Sequence, residues 1–138
     1  MRKLKSILLV DDDNATNFLH ELVINQMNIC EEVFVKKNGL DAFSFIEELD
    51  ENGKPLPDLI LLDINMPVMN GWEFLERCKT IEKRISETTI ILMLTTSLNP
   101  EDKRRSQGVE MVKDYINKPL SSDTLEDVLS RFFGVEVG

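Results

Sequence analysis

Two apolar runs in this chain end abruptly in carboxylates. Ile7-Leu8-Leu9-Val10 leads into Asp11-Asp12-Asp13, and Leu59-Ile60-Leu61-Leu62 leads into Asp63-Ile64-Asn65-Met66-Pro67. Short continuous apolar runs closed by turn chemistry read as strands buried on both faces of a parallel sheet. Such sheets carry their functional groups in the crevice beyond the carboxyl ends of the strands. If the two strands are neighbours, Asp11, Asp12 and Asp63 converge. Repulsion and partial desolvation would force unpartnered carboxylates in one place to take up protons. A divalent cation resolves the conflict, and oxygen ligands of this kind suit Mg²⁺, with Mn²⁺ as the alternative ion. The expectation is an acidic metal site with one carboxylate left to react.

Two further apolar runs end in polar groups that belong with this site. Ile90-Ile91-Leu92-Met93-Leu94 stops at Thr95-Thr96-Ser97, and Tyr115-Ile116 at Asn117-Lys118-Pro119. Each signal alone is weak. A Thr after a strand is usually a turn residue, a Lys there is usually solvated, and an acid pair is more often a helix cap than a metal site. An acid pair, a lone Asp, a Thr and a Lys ending four strands of one sheet form a much more specific pattern.

The elements that must position these groups alternate along the chain. Strands are expected at Ser6–Val10, Glu32–Val35, Asp58–Leu62, Thr89–Leu94 and Met111–Ile116. Between them, Phe18, Leu19, Leu22, Val23 and Met27 recur at helical spacing, as do Leu40, Phe43, Ile46 and Leu49. Phe74, Leu75, Cys78 and Ile81 mark a third helix after Gly71. Asn99-Pro100-Glu101-Asp102 starts a fourth, with a capping side chain, Pro in the first turn and acids behind it. Leu125, Val128, Leu129 and Phe132 mark a fifth. Glu51 to Pro57 is a loop rich in breakers. Five βα units give a doubly wound α/β sandwich around a five-stranded parallel sheet.

At 138 residues the chain is the size of one domain, and its formal net charge of −9 argues against a nucleic-acid footprint. The basic start, Met1 to Lys5, is followed by an apolar run too short for a signal peptide, and no run is long enough to span a membrane. A cytoplasmic protein without membrane insertion is expected. Cys30 and Cys78 lack CxxC spacing and read as buried core cysteines. His20, the only histidine, reads as a surface residue.

With these motifs in place, the chain resembles the receiver domain of bacterial two-component response regulators over essentially its whole length, 1–138, with no output domain. The resemblance implies flavodoxin-like strand order 2-1-3-4-5 and a stand-alone, chemotaxis-type regulator. It implies that Asp63 is the phosphoacceptor and that Asp11 and Asp12 are the metal-binding acid pair, with Asn65 lending its backbone carbonyl. Thr95 matches the hydroxyl residue that touches the phosphoryl group, with the Thr96 backbone N–H beside it. Lys118 matches the phosphoryl-binding lysine, and its bond to Pro119 is expected to be cis, aiming the lysine inward. Tyr115 resembles the aromatic that switches with Thr95. Asn65 and Ser97 occupy positions that in the family tune dephosphorylation.

The same resemblance implies partners: a histidine kinase or histidine phosphotransfer protein as donor, and a downstream target or a second copy at the face made by the fourth helix, fifth strand and fifth helix. Asn14, Asn17, Phe18 and Glu21 on the first helix are candidates for donor pairing. The stretch from Pro100 to Gln107 departs from the pattern, with no large apolar residue to bury; a solvated charged helix is the expectation there. Asp13 is expected to cap the first helix, and Trp72 to pack near the start of the third.

Other readings fit less well. Haloacid-dehalogenase-type phosphatases place a second Asp two residues after the nucleophile, where this chain has Asn65, so the chain is expected to act on itself rather than turn over foreign esters. A flavodoxin-like cofactor binder would need a phosphate cradle where Asp11 and Asp12 stand. No G-x-G-x-x-G supports a dinucleotide site. A receiver-like docking module acting without phosphorylation is the remaining alternative.

Overall fold

The structure is a computed structural model that describes residues 3–96 and 99–134. Five strands, β1 (Leu4–Val10), β2 (Cys30–Lys36), β3 (Leu59–Asp63), β4 (Ile90–Thr95) and β5 (Val112–Asn117), form one parallel sheet in the order β2-β1-β3-β4-β5. The expected doubly wound α/β sandwich is therefore present, with the order 2-1-3-4-5.

Alternation along the central strands divides the core in two. Leu8, Val10, Ile60, Leu62, Ile91 and Met93 face one side, packing with Phe43 and Ile46 of α2 (Gly39–Glu51) and Phe74 and Leu75 of α3 (Gly71–Cys78). Ile7, Leu9, Leu59, Leu61, Leu92 and Leu94 face the other, against Ile24 of α1 (Asn14–Met27) and Leu125, Val128 and Leu129 of α6 (Ser122–Phe133). Burial on both faces explains why these strands read as unbroken apolar runs.

The strand ends differ from the expected bounds by one residue where it matters. β3, β4 and β5 each begin and end one residue later than the expected bounds, so Asp63 and Thr95 are the last residues of their strands. Thr89 stays outside because its N–H donates to Ile85 O and its hydroxyl to Pro57 O. The third crossover is also more broken than a single helix. α3 passes into a 3₁₀ turn at Lys79–Ile81 and then α4 (Glu82–Thr88), which buries Ile85. The helices expected as fourth and fifth are accordingly α5 (Pro100–Gln107) and α6.

The caps follow local chemistry. Asp13 caps α1 by accepting from Thr16 N–H, as expected, and Asn70 and Glu73 form a reciprocal capping box at α3. α5 is capped by Asn99 and, as its composition suggested, is charged and buries only Ser106. Its Arg105 guanidinium lies over the Trp72 ring, 4.5 Å from the centroid.

Three expectations need correction. His20 is buried, not a surface residue. Cys78 is buried, but Cys30 is only half-buried, because β2 is an edge strand. On α1, Val23 and Met27 of the expected stripe pack partly buried against the core, but the fully buried residues are Asn17, His20 and Ile24, and Phe18, Leu19 and Leu22 are exposed. The Asp13 cap fixes where the helix starts, and Asn17 Nδ2 donates to Asp11 O, so the helix turns its polar residues toward the sheet end.

Candidate phosphoacceptor site

The register of the central strands brings the acids together. β1 pairs with β3 so that Val10 lies opposite Leu62, and Asp11 and Asp63 follow these two residues. Asp11, Asp12 and Asp63 each offer a carboxylate oxygen, and these atoms lie within 4.8 Å of one another. Asp11 is buried, Asp63 half-buried and Asp12 exposed, so the cluster opens to solvent on one side.

Lys118 reaches into this cluster from the end of β5. Its Nζ lies 2.5 Å from Asp11 Oδ2 and 3.2 Å from Asp63 Oδ1, with its side chain 10% exposed. The Lys118–Pro119 bond is cis, as expected. The lysine's backbone N–H donates to Thr95 O at 2.7 Å, which joins the ends of β4 and β5. Asp11 Oδ1 accepts from Asp13 N–H, so both of its carboxylate oxygens are engaged.

Electrostatics distinguish the two inner carboxylates. Burial, and then the charge of Asp11, push the Asp63 carboxyl above the usual carboxylate range, while Lys118 pulls it back. Burial works against the Lys118 ammonium, but its hydrogen bond to Asp11 and the pull of Asp63 outweigh burial and raise its pKa. Three carboxylates against one ammonium leave a surplus of two negative charges. That surplus, an all-oxygen donor set and an open side fit a hard divalent cation.

The remaining expected residues stand around this centre. Thr95 is buried at the end of β4, Thr96 is exposed directly after it, and Asn65 is exposed two residues beyond Asp63. Tyr115, half-buried on β5, shares a side-chain hydrogen bond with Thr95. Ser97 lies outside the described residues. Gly71 packs so closely on β3 that an added Cβ would stand 2.5 Å from Asp63 O, and its N–H donates to Ile64 O. No side chain fits there.

Two supporting residues escaped the sequence reading. Asn17, expected as a pairing residue, is buried and holds the Asp11 carbonyl at 2.8 Å. Its Oδ1 is buried with no hydrogen-bond partner among the described residues. His20 Nε2 accepts from Leu120 N–H at 3.2 Å, beside the Lys118 loop. The signal available was the spacing of Asn17, His20 and Ile24, one helical face of polar residues ending in an apolar one.

Comparison with known proteins agrees with this geometry. Residues 7–130 match the family model described as the response regulator receiver domain. Response regulator Rcp1 from Synechocystis is 35% identical over 135 residues, covering 96% of this chain and 86% of that protein. The crystal structure of a two-component response regulator from Cytophaga hutchinsonii superposes with a TM-score of 0.88 at 32% identity, covering 97% of this chain and all of that one. The Mn²⁺-bound form of Rcp1 superposes with a TM-score of 0.74 at 30% identity, covering 97% and 99% of the two chains. With its strand order, acidic cluster and strand-end lysine on the expected scaffold, the chain belongs to the response regulator receiver domain family.

Proposed function

We propose that this receiver takes a phosphoryl group from a phosphohistidine onto Asp63 and changes its partner binding as a result. One observation carries the reading: a half-buried carboxylate stands at a strand end beside two further carboxylates and within reach of a lysine ammonium. An Asp63 carboxylate oxygen attacks the phosphorus, forming an O–P bond as the P–N bond to the donor imidazole breaks. The imidazole nitrogen leaves with the electron pair and is protonated, and an acyl phosphate remains. Such a transfer is governed by positioning and by stabilisation of charge on the three phosphoryl oxygens.

The residues divide that work. Lys118 Nζ, already 3.2 Å from Asp63, meets one oxygen, and the Thr95 hydroxyl and Thr96 N–H meet another. Asp11, Asp12, Asp63 and the Asn65 carbonyl would hold Mg²⁺, which supplies neutralisation of the remaining charge when bound. The chain catalyses this transfer, and the later hydrolysis, on itself rather than turning over a substrate. A docking module acting without phosphorylation has no use for carboxylates gathered around one lysine.

Asp63 phosphorylation adds about two negative charges at this point. The Thr95–Tyr115 hydrogen bond gives the charge a route outward: a hydroxyl drawn toward the phosphoryl group releases Tyr115, whose ring borders a cleft with Pro100 and Lys103 of α5. The α5–β5–α6 face is then the surface that meets a target or a second copy, a two-state element biased by one local charge. The donor docks from the cytoplasm on the α1 side, where Phe18, Leu19 and Leu22 are exposed. The test is intact-mass analysis after incubation with phosphoramidate. One phosphoryl group gained with Mg²⁺ and none without it is expected; labelling that ignores the metal would contradict the proposed site.

A further inference from the structure

Lys118 does its proposed work only if its backbone is held still, and the loop that carries it is fastened on two sides. Its own N–H is bound to Thr95 O on β4. Two residues on, the Leu120 N–H is bound by His20 Nε2, at 3.2 Å, from α1. His20 and Leu120 are both buried, at 3% exposure. No water replaces a bond made at such depth, so the acceptor decides where this backbone sits.

We propose that His20 is a positioning residue for Lys118, holding the loop through Leu120 N–H so that the ammonium meets the phosphoryl oxygens on Asp63. To accept this bond, Nε2 carries no proton and the ring's hydrogen sits on Nδ1. Burial supports that state by lowering the His20 pKa, and the nearby Lys118 charge adds to it while Asp11 opposes. The bond also ties two parts of the proposed mechanism together. α1 shows the donor its exposed Phe18, Leu19 and Leu22, and from its opposite side it grips the loop that carries the lysine. The inference rests on Lys118 acting in phosphoryl transfer to Asp63.

Two amide substitutions separate positioning from packing. His20→Gln carries a carbonyl oxygen to roughly the place of Nε2, whereas His20→Asn is one carbon too short to reach Leu120. Rates of labelling by phosphoramidate at saturating Mg²⁺ should stay within about twofold of wild type for His20→Gln and fall about tenfold or more for His20→Asn. The Mg²⁺ affinity should not fall in either variant, because the acids lie outside the loop. In the unaltered protein, ¹⁵N spectra should show a coupling between the Leu120 amide nitrogen and His20 Nε2 across the hydrogen bond. That readout decides the case even where His20→Asn does not fold. An absent coupling, an undiminished rate in His20→Asn, or an equal loss in His20→Gln would overturn the positioning role while leaving Asp63 as phosphoacceptor. Failure of the wild type to label would overturn the phosphoacceptor reading, and this inference with it.

Discussion

The Arg105 guanidinium lies 4.5 Å above the centre of the Trp72 ring and so fastens α5 to the start of α3. Few other contacts do this, since α5 buries only Ser106. Trp72 adjoins Gly71, whose backbone is packed against Asp63 O. The stack therefore links the helix of the proposed output face to the chain segment beside the phosphoacceptor.

Arg105→Ala should loosen α5 with little global effect. An exposed cation–π contact contributes about 0.5–1 kcal/mol, so amide hydrogen exchange in α5 should speed up by about two- to fivefold while the denaturation midpoint barely moves. Trp72 is the only tryptophan, so its emission should report the change. Unchanged exchange in α5 would show that the stack does not hold the helix.

Val68 offers a stabilising substitution. It is a β-branched residue at φ 68° with 75% of its surface exposed, a conformation that disfavours its side chain. Val68→Asn should raise unfolding stability by about 1 kcal/mol, read as a higher urea midpoint at unchanged slope. No gain would mean that Val68 makes compensating contacts in the loop.

His20 predicts a pH dependence of stability. Its folded pKa lies below the ordinary 6.5, so between the two values the unfolded chain binds more protons. The contribution is fully present above about 6.5 and is lost as pH falls below it. Urea midpoints measured from pH 7.5 to pH 5 should fall more steeply for wild type than for His20→Gln, which keeps an acceptor without titrating. Parallel curves would show that the ring is not held neutral.

Lys118→Ala removes the one cation among the acids. Asp11 and Asp63 then face each other without their counter-charge, so Mg²⁺ should bind at least as tightly as before. Labelling by phosphoramidate should nevertheless fall by about a hundredfold, the scale of losing one charge-stabilising donor. Calorimetric titration and labelling rates, measured on the same sample, check both parts. A lysine serving only to hold the fold would affect them together.

Much of this was legible in the sequence because it rests on strong local signals. Leu59 to Leu62 is apolar without a break because both faces of β3 are covered, and a charge directly after such a strand has only the sheet's end to occupy. The same reasoning failed on α1. Helical spacing reveals that a helix exists, but Phe18, Leu19 and Leu22 have nearly the same period as Asn17, His20 and Ile24. Hydrophobicity placed Val23 and Met27 correctly against the core but misplaced Phe18, Leu19 and Leu22; a cap at Asp13 and a bond to the Asp11 carbonyl set the helix's orientation. His20 was misplaced for the same reason, since its partner is a backbone N–H a hundred residues away, which no spacing rule reveals. The later start of β4 likewise depends on Thr89 bonding to Ile85 and Pro57.

The central claim is that Asp63 receives the phosphoryl group. Asp63→Asn removes the nucleophile and one of the three clustered carboxylates, so the variant should fold. Wild type and Asp63→Asn should be incubated side by side with acetyl phosphate and Mg²⁺ and compared by intact mass. The account predicts one phosphoryl group on wild type and none on Asp63→Asn. Equal labelling of the two proteins would contradict it.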